Sequence, residues 1–344
     1  MKYLRDGGVI ASTARVLNGA PGPELLNQAM IYQNLVEGRL ELSGIMLREF
    51  EVEAKYLLDL LHTHRLDKCG KSLELKFLNQ DGFAAQVGGL DGQYGIEISV
   101  AVPLVALSVS VELCSLVDGS AIAGLSPNYR GANNSINDLF PQVVNPADIG
   151  FESLDLALDV TLLLFLHEMA HMMFGHCDYV CSNSAEHRAL EFDADFNAGT
   201  MFSCWLQGLP HARRRTSDFS EISSRLIRAA FLLGVILKAV SRATDEYHYP
   251  TVRVTTFMAG GAFGLESMGI AERFEDEAEG NRYWDDLQSH NLKDLIGALK
   301  KSSLSRYLGT EEEIAKDIAE LHNVTYAVRE RLKDGPLKVL AVPI

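Results

Sequence analysis

Apolar residues recur at helical spacing along most of the chain, and the pattern changes to alternation in one short region after residue 72. From about Leu40 to Thr63, the residues Ile45, Leu47, Phe50, Val52, Tyr56, Leu57, Leu60 and Leu61 fall near a 3.6-residue period, which predicts a helix. The residues before it carry weaker signals, with a Gly/Pro break at Gly19–Pro23 and a short helix expected beyond it. Lys68–Lys71 reads as a turn. Three strands are then expected, Leu73–Leu78, Phe83–Val87 and Tyr94–Val102. The separators Asn79–Gly82 and Gly88–Gly92 are rich in Gly, Asp and Asn, as hairpin loops require. In the third strand Ile96, Ile98 and Val100 alternate onto one face. Pro103 opens an apolar helix running to about Val117, and the Gly-, Asn-, Ser- and Pro-rich residues 118–150 predict a long surface loop near the site.

The second half is helical by the same criterion. Phe151–Phe174 predicts one helix stopped by Gly175. Further helices are expected over Ala185–Leu206, Asp218–Arg242 and the tail from Tyr283. In the tail, Ile314, Ile318, Leu321, Val328 and Leu332 form an apolar stripe, read as a packing face, and the acidic run Glu272–Glu279 reads as a solvated linker. There is no internal repeat. The expected class is α+β, mainly helical with a small antiparallel sheet. Three segments are expected: 1–150 (helix, sheet and surface loop), 151–270 (helical core with the site) and 271–344 (C-terminal helical region).

Composition narrows the function. With 31 Lys and Arg against 46 Asp and Glu, the formal net charge is -15, which argues against a nucleic-acid partner because phosphate neutralisation needs excess cations. Five cysteines (Cys69, Cys114, Cys177, Cys181, Cys204) are too few and odd in number for a disulfide framework, and the N-terminal residues lack the apolar core of a signal peptide. A reducing, cytoplasmic setting is therefore expected. The apolar runs Thr161–Phe165 and Ala229–Leu237 are bounded by Asp159, Glu168, Arg228 and Lys238, short of the roughly 20 residues a membrane span needs. Buried core helices are expected, with no membrane span.

The chemistry concentrates in LLLFLHEMAHMMFGH, residues 162–176. His167-Glu168-Met169-Ala170-His171 is an HExxH pattern on an expected helix, so both imidazoles lie on one face, one turn apart, and reach a common ion. Glu168 projects about 100° from His167, where its carboxylate meets water at the metal and not the metal itself. The apolar setting means these three polar groups need a reason to be there. A catalytic zinc needs a third protein ligand and one open position. The metzincin layout places Gly three residues after the second His and a further His three beyond; here those positions are Phe174 and Cys177, and that layout fails. The gluzincin layout takes a Glu from a following helix, usually as ExxxD. Glu191 and Asp195 stand at i and i+4 on the expected helix, with Asp195 able to accept the second ring N–H of a zinc histidine. His187 and His211 are fallback ligands. The trio His176, Cys177 and Cys181 reads as structural, with Asp178 capping the turn.

LHEMAHMMFGH followed by LEFDADFNAG resembles the gluzincin metallopeptidases, among them the HtpX/CAAX-prenyl-peptidase, phage-exclusion Lit-type and ImmA/IrrE-type groups. That resemblance implies a zincin-like fold ordered as helix, three-stranded sheet, metal helix and second ligand helix. It also implies Zn²⁺ as cofactor and a polypeptide as substrate. HYPTVR, residues 248–253, is similar to a downstream His-Pro…Arg motif of some of these groups, except that Tyr249 intervenes. By that similarity His248 would stabilise an oxyanion and Arg253 would support it. The expected function is a zinc-dependent endopeptidase with Glu168 as general base. The rivals are a metal-binding regulatory protein of peptidase fold and a metal-dependent hydrolase of a non-peptide amide.

Overall fold

The helix expected over residues 40–63 is α1 (Glu37–Leu61), prolonged by a π-helical turn (His62–Leu66) and a 3-10 turn (Asp67–Cys69). It stops at Gly70, whose φ of 66° an L side chain rarely adopts. These coordinates come from a computed structural model that describes residues 15–17, 19, 37–79, 83–90, 92–117, 150–240, 247–272, 274–300 and 303–335. The short helix expected after Pro23 and all but the last residue of the loop expected over 118–150 lie outside them.

Among the described residues four strands form one sheet: β1 (Arg15–Leu17), β2 (Ser72–Asn79), β3 (Ala85–Leu90) and β4 (Gln93–Ser99), in the order β1-β2-β4-β3. The β3–β4 hairpin is antiparallel, as its Gly-rich connection predicts, but β2 and β4 run parallel, with Ser72 opposite Gln93 and Leu78 opposite Ser99. The sheet is therefore mixed, and β4 is an interior strand. Its alternate residues Tyr94, Ile96 and Ile98 are all buried, which gives this strand a continuous apolar face toward the core.

The remaining helices follow the predicted pattern closely: α2 (Val102–Val117), α3 (Phe151–Met173), α4 (Ser184–Trp205) and α5 (Phe219–Val240). Next come α6 (Pro250–Ser267), α7 (Glu277–Leu299) and α8 (Glu311–Asp334). The acidic run is only half linker, because Asp276 caps α7 by accepting from Ala278 N, and helix begins at Glu277. Of the tail's apolar stripe, Val328 and Leu332 are buried while Ile318 is exposed, so the packing face occupies the C-terminal half of α8. By length and composition α3 could cross a bilayer, and 94% of its apolar window is packed inside the protein.

Two devices fix the position of α3 and of its neighbour α4. A buried ion network joins four segments: Arg214 donates to Glu53 of α1 and to Asp159 of α3, each at 2.5 Å, and Arg225 of α5 donates to both oxygens of Asp159 at 2.8 and 2.6 Å. Two cations and two carboxylates balance, which is the condition for charges to persist in a core. The second device is close backbone approach. A Cβ at Gly199 of α4 would collide with the Phe257 carbonyl of α6, and one at Gly260 of α6 would collide with the Phe196 carbonyl of α4. Thr200 Oγ1 donates to Gly260 O at 2.9 Å across the same seam. Small residues here let the two helices touch backbone to backbone.

Gly199→Ala and Gly260→Ala are expected to lower the melting temperature. The cost should lie at or above the upper end of the roughly 1–3 kcal/mol typical of overpacking, since the obstacle is backbone in both cases. Gly88→Ala, whose Cβ would meet nothing within 4 Å, is the control and should melt like the wild type. Unchanged melting of both seam variants in calorimetry would mean the helices stand farther apart.

Candidate metal centre

The polar groups of α3 sit among leucines because the helix is buried on every side: His167, Glu168 and His171 are 2%, 9% and 3% exposed. One turn apart, His167 and His171 bring their Nε2 atoms to 3.1 Å from one another. From α4, Glu191 reaches both, with Oε2 3.2 Å from His167 Nε2 and Oε1 3.4 Å from His171 Nε2. These three residues form a cluster of potential metal ligands whose donor atoms lie within 4.8 Å of one another. Tetrahedral ligands about 2.0–2.1 Å from a zinc ion stand roughly 3.3–3.4 Å apart, close to the spacings seen here. The donor set, two imidazole nitrogens and one carboxylate, is also a zinc set. Glu191 Oε2 is buried and makes no aligned hydrogen bond, so a cation at the centre would satisfy it. The residues fit the metal.

The sequence logic of α4 explains why it can serve the centre twice. Glu191 and Asp195, at i and i+4, share the face turned to α3. Asp195 Oδ1 lies 2.8 Å from His167 Nδ1, behind the ring, and accepts from Arg253 Nη2 at 2.6 Å. Asp193, about 200° around the helix from either, faces the other way. It meets His176, which the left-handed Gly175 (φ 79°) turns back after α3 ends.

Burial works against a charged His167, but Asp195 and Glu191 outweigh it and hold its pKa far above the ordinary histidine range. Glu191 is likewise opposed by burial, yet His171 and His167 keep it ionised well below the usual carboxylate range. Glu168 is outside this ligand cluster, and burial raises its pKa against the pull of His167 and His171. For His176 burial dominates and pushes the pKa down to about 4, so this ring is neutral.

Three expectations need correction. His248 is not placed as an oxyanion donor: its Nδ1 pairs with Asp317 Oδ1 at 2.7 Å and its Nε2 lies 3.1 Å from the Arg188 carbonyl, so both nitrogens are engaged. The ring ties the start of α6 to α4 and α8. Arg253 supports Asp195, not His248, and is wholly buried. Among the described residues the fallback ligands His187 and His211 are outside the cluster, as are Cys177 and Cys181, and none of the five cysteines is in a disulfide. Asp178 does not cap the turn through its side chain but accepts from Tyr94 OH at 3.0 Å. The sequence reading missed His176 and Asp193 as partners of the centre; the only signal was a histidine five residues beyond His171, across a glycine stop.

No protein-family model, curated protein or solved structure matches this chain. The assignment therefore rests on the site, a His-Glu-x-x-His helix completed by a Glu from the next helix, which is a zinc-binding centre of the gluzincin peptidase type.

Because metal and proton compete for His167, and its pKa is raised, the metal-free protein should still hold that proton near pH 7.5. Zinc uptake should then release about one proton and tighten as pH rises. Calorimetry in buffers of different ionisation enthalpy measures the release. A value near zero would show that His167 is already neutral before metal arrives.

Proposed function

We propose that this chain is a zinc-dependent endopeptidase that hydrolyses a peptide bond with Glu168 as its general base. The observation that carries the reading is the convergence of His167, His171 and Glu191 beside a buried carboxylate that is not part of the ligand set. Zinc held by His167, His171 and Glu191 would supply a Lewis acid and a nucleophilic water near neutral pH.

The protein's own groups do the rest. Glu168, its acidity weakened by burial, would accept the proton of the attacking water and return it to the leaving amine. Asp195, 2.8 Å behind the far nitrogen of His167, favours a hydrogen there and so Nε2 as the nitrogen presented to the metal. Arg253 neutralises Asp195 and holds it in place.

A polypeptide substrate is the partner such a site suits. β4 cannot receive it by strand addition, being enclosed by β2 and β3, but among the described residues β3 is an edge strand lying against α3 and the turn His176–Asp178. An extended peptide added to β3 would run beside the metal helix, gaining main-chain hydrogen bonds without regard to sequence.

Glu168→Gln should bind zinc like the wild type and lose at least about 10²–10⁴ of kcat on a peptide substrate. Glu191→Ala should instead lose the metal. Full peptide cleavage by Glu168→Gln would remove the assigned base, and wild-type zinc content in Glu191→Ala would move the third ligand elsewhere.

A further inference from the structure

His167 and His171 differ in what stands behind them. His167 is backed directly by a carboxylate, whereas His171 is backed by a second imidazole, Nδ1 to Nδ1 at 2.9 Å. That ring, His176, is fully buried, and its Nε2 lies 3.1 Å from Asp193 Oδ2. Asp193 Oδ1 in turn accepts from Arg329 Nε of α8 at 2.5 Å, and Asn197 Nδ2 donates to Oδ2 at 3.1 Å.

The proton directions follow from the end of the chain of contacts. A carboxylate only accepts, so His176 carries its hydrogen on Nε2 and offers a bare Nδ1. His171 then donates from Nδ1, so that Nε2 is the nitrogen turned toward Glu191 and His167. That is the tautomer a metal ligand needs.

We propose that Arg329 is a positioning residue for the metal centre, acting through Asp193 and His176 to hold His171 in its metal-binding orientation and tautomer. The C-terminal helix is built to deliver it. Arg331 pairs with Glu186 at 2.8 Å, and Val328 and Leu332 pack on Tyr179, Ala189 and Leu190 around the turn and α4. At the other end of α8, Asp317 holds His248 and accepts from Tyr249 N at 3.1 Å. The guanidinium of Arg329 also lies over the Phe196 ring of α4, 5.5 Å from its centre. A helix far downstream in sequence is thus part of the support of His171.

The proposal rests on the zinc reading, and zinc affinity of the full-length chain separates the two. Metal-free protein is titrated with zinc against a chromophoric chelator, and the visible spectrum of the cobalt-substituted form reports ligand geometry. Arg329→Ala should weaken zinc about 10–100-fold and alter the cobalt spectrum, with Arg329→Lys recovering part of the loss. In a His176→Phe background, adding Arg329→Ala should cost little more, because the path to His171 is already cut. Wild-type affinity in Arg329→Ala, or losses that multiply in the double variant, would overturn the proposal. Should His176→Phe fail to fold, the Arg329→Ala and Arg329→Lys pair decides alone, since this side chain is 39% exposed and its removal leaves the core intact. A wild-type chain that takes up no zinc would instead defeat the metal reading itself.

Discussion

A carboxylate and two imidazoles converge inside an apolar helix pair, and this convergence sets the terms for everything around it. Transferring such groups out of water is costly unless each finds a partner. Here the three point their donor atoms at one another, which leaves either a proton or a cation to reconcile them. In the metal-free protein the reconciliation is electrostatic: Glu191 stays ionised and His167 retains a proton despite burial. A divalent ion does the same work with more charge and fixed geometry.

The scaffold meets this demand with two supports of different construction. Behind His167 the path is short, Asp195 and then Arg253, and its partners come from α4 and α6. Backbone contact at Gly199 and Gly260 is what brings those two helices close enough for that pair. Behind His171 the path is longer and leaves the central helices for α8. α4 serves both sides because three of its carboxylates, Glu191, Asp193 and Asp195, are spaced at two and four residues, which distributes Glu191 and Asp195 to one face and Asp193 to the other. The ion network around Asp159 holds the opposite end of α3 with no part in the centre.

The helices that carry a continuous apolar period were legible in the sequence to within a few residues, and so was the ligand set, because HExxH and ExxxD encode proximity through helical geometry alone. α6 was not legible as a helix. Its Thr251, Val252, Val254, Thr255 and Thr256 are β-branched and its Gly260, Gly261 and Gly264 disfavour helix, but the glycines are required by the contact with α4. The parallel pairing of β2 with β4 also escaped, since alternation fixes which face a residue takes and not which strand lies beside it. His176 and Asp193 belong to the same class of miss. Their meeting depends on the angle at which the chain leaves Gly175, which no periodicity records.

Glu168 bears on the choice between a catalyst and a protein that merely holds metal. A structural zinc site closes its coordination with four protein ligands, whereas among the described residues this cluster offers three. Beside it stands a carboxyl group that is outside the ligand cluster and whose ionisation is disfavoured by burial. A binder gains nothing from such a group and must offset its desolvation. A hydrolase needs a side chain that both takes and gives up a proton near neutrality, and raising a carboxyl pKa by burial is how a glutamate is fitted to that task. The acidity of one residue that does not touch the metal is therefore the feature that favours chemistry over mere binding.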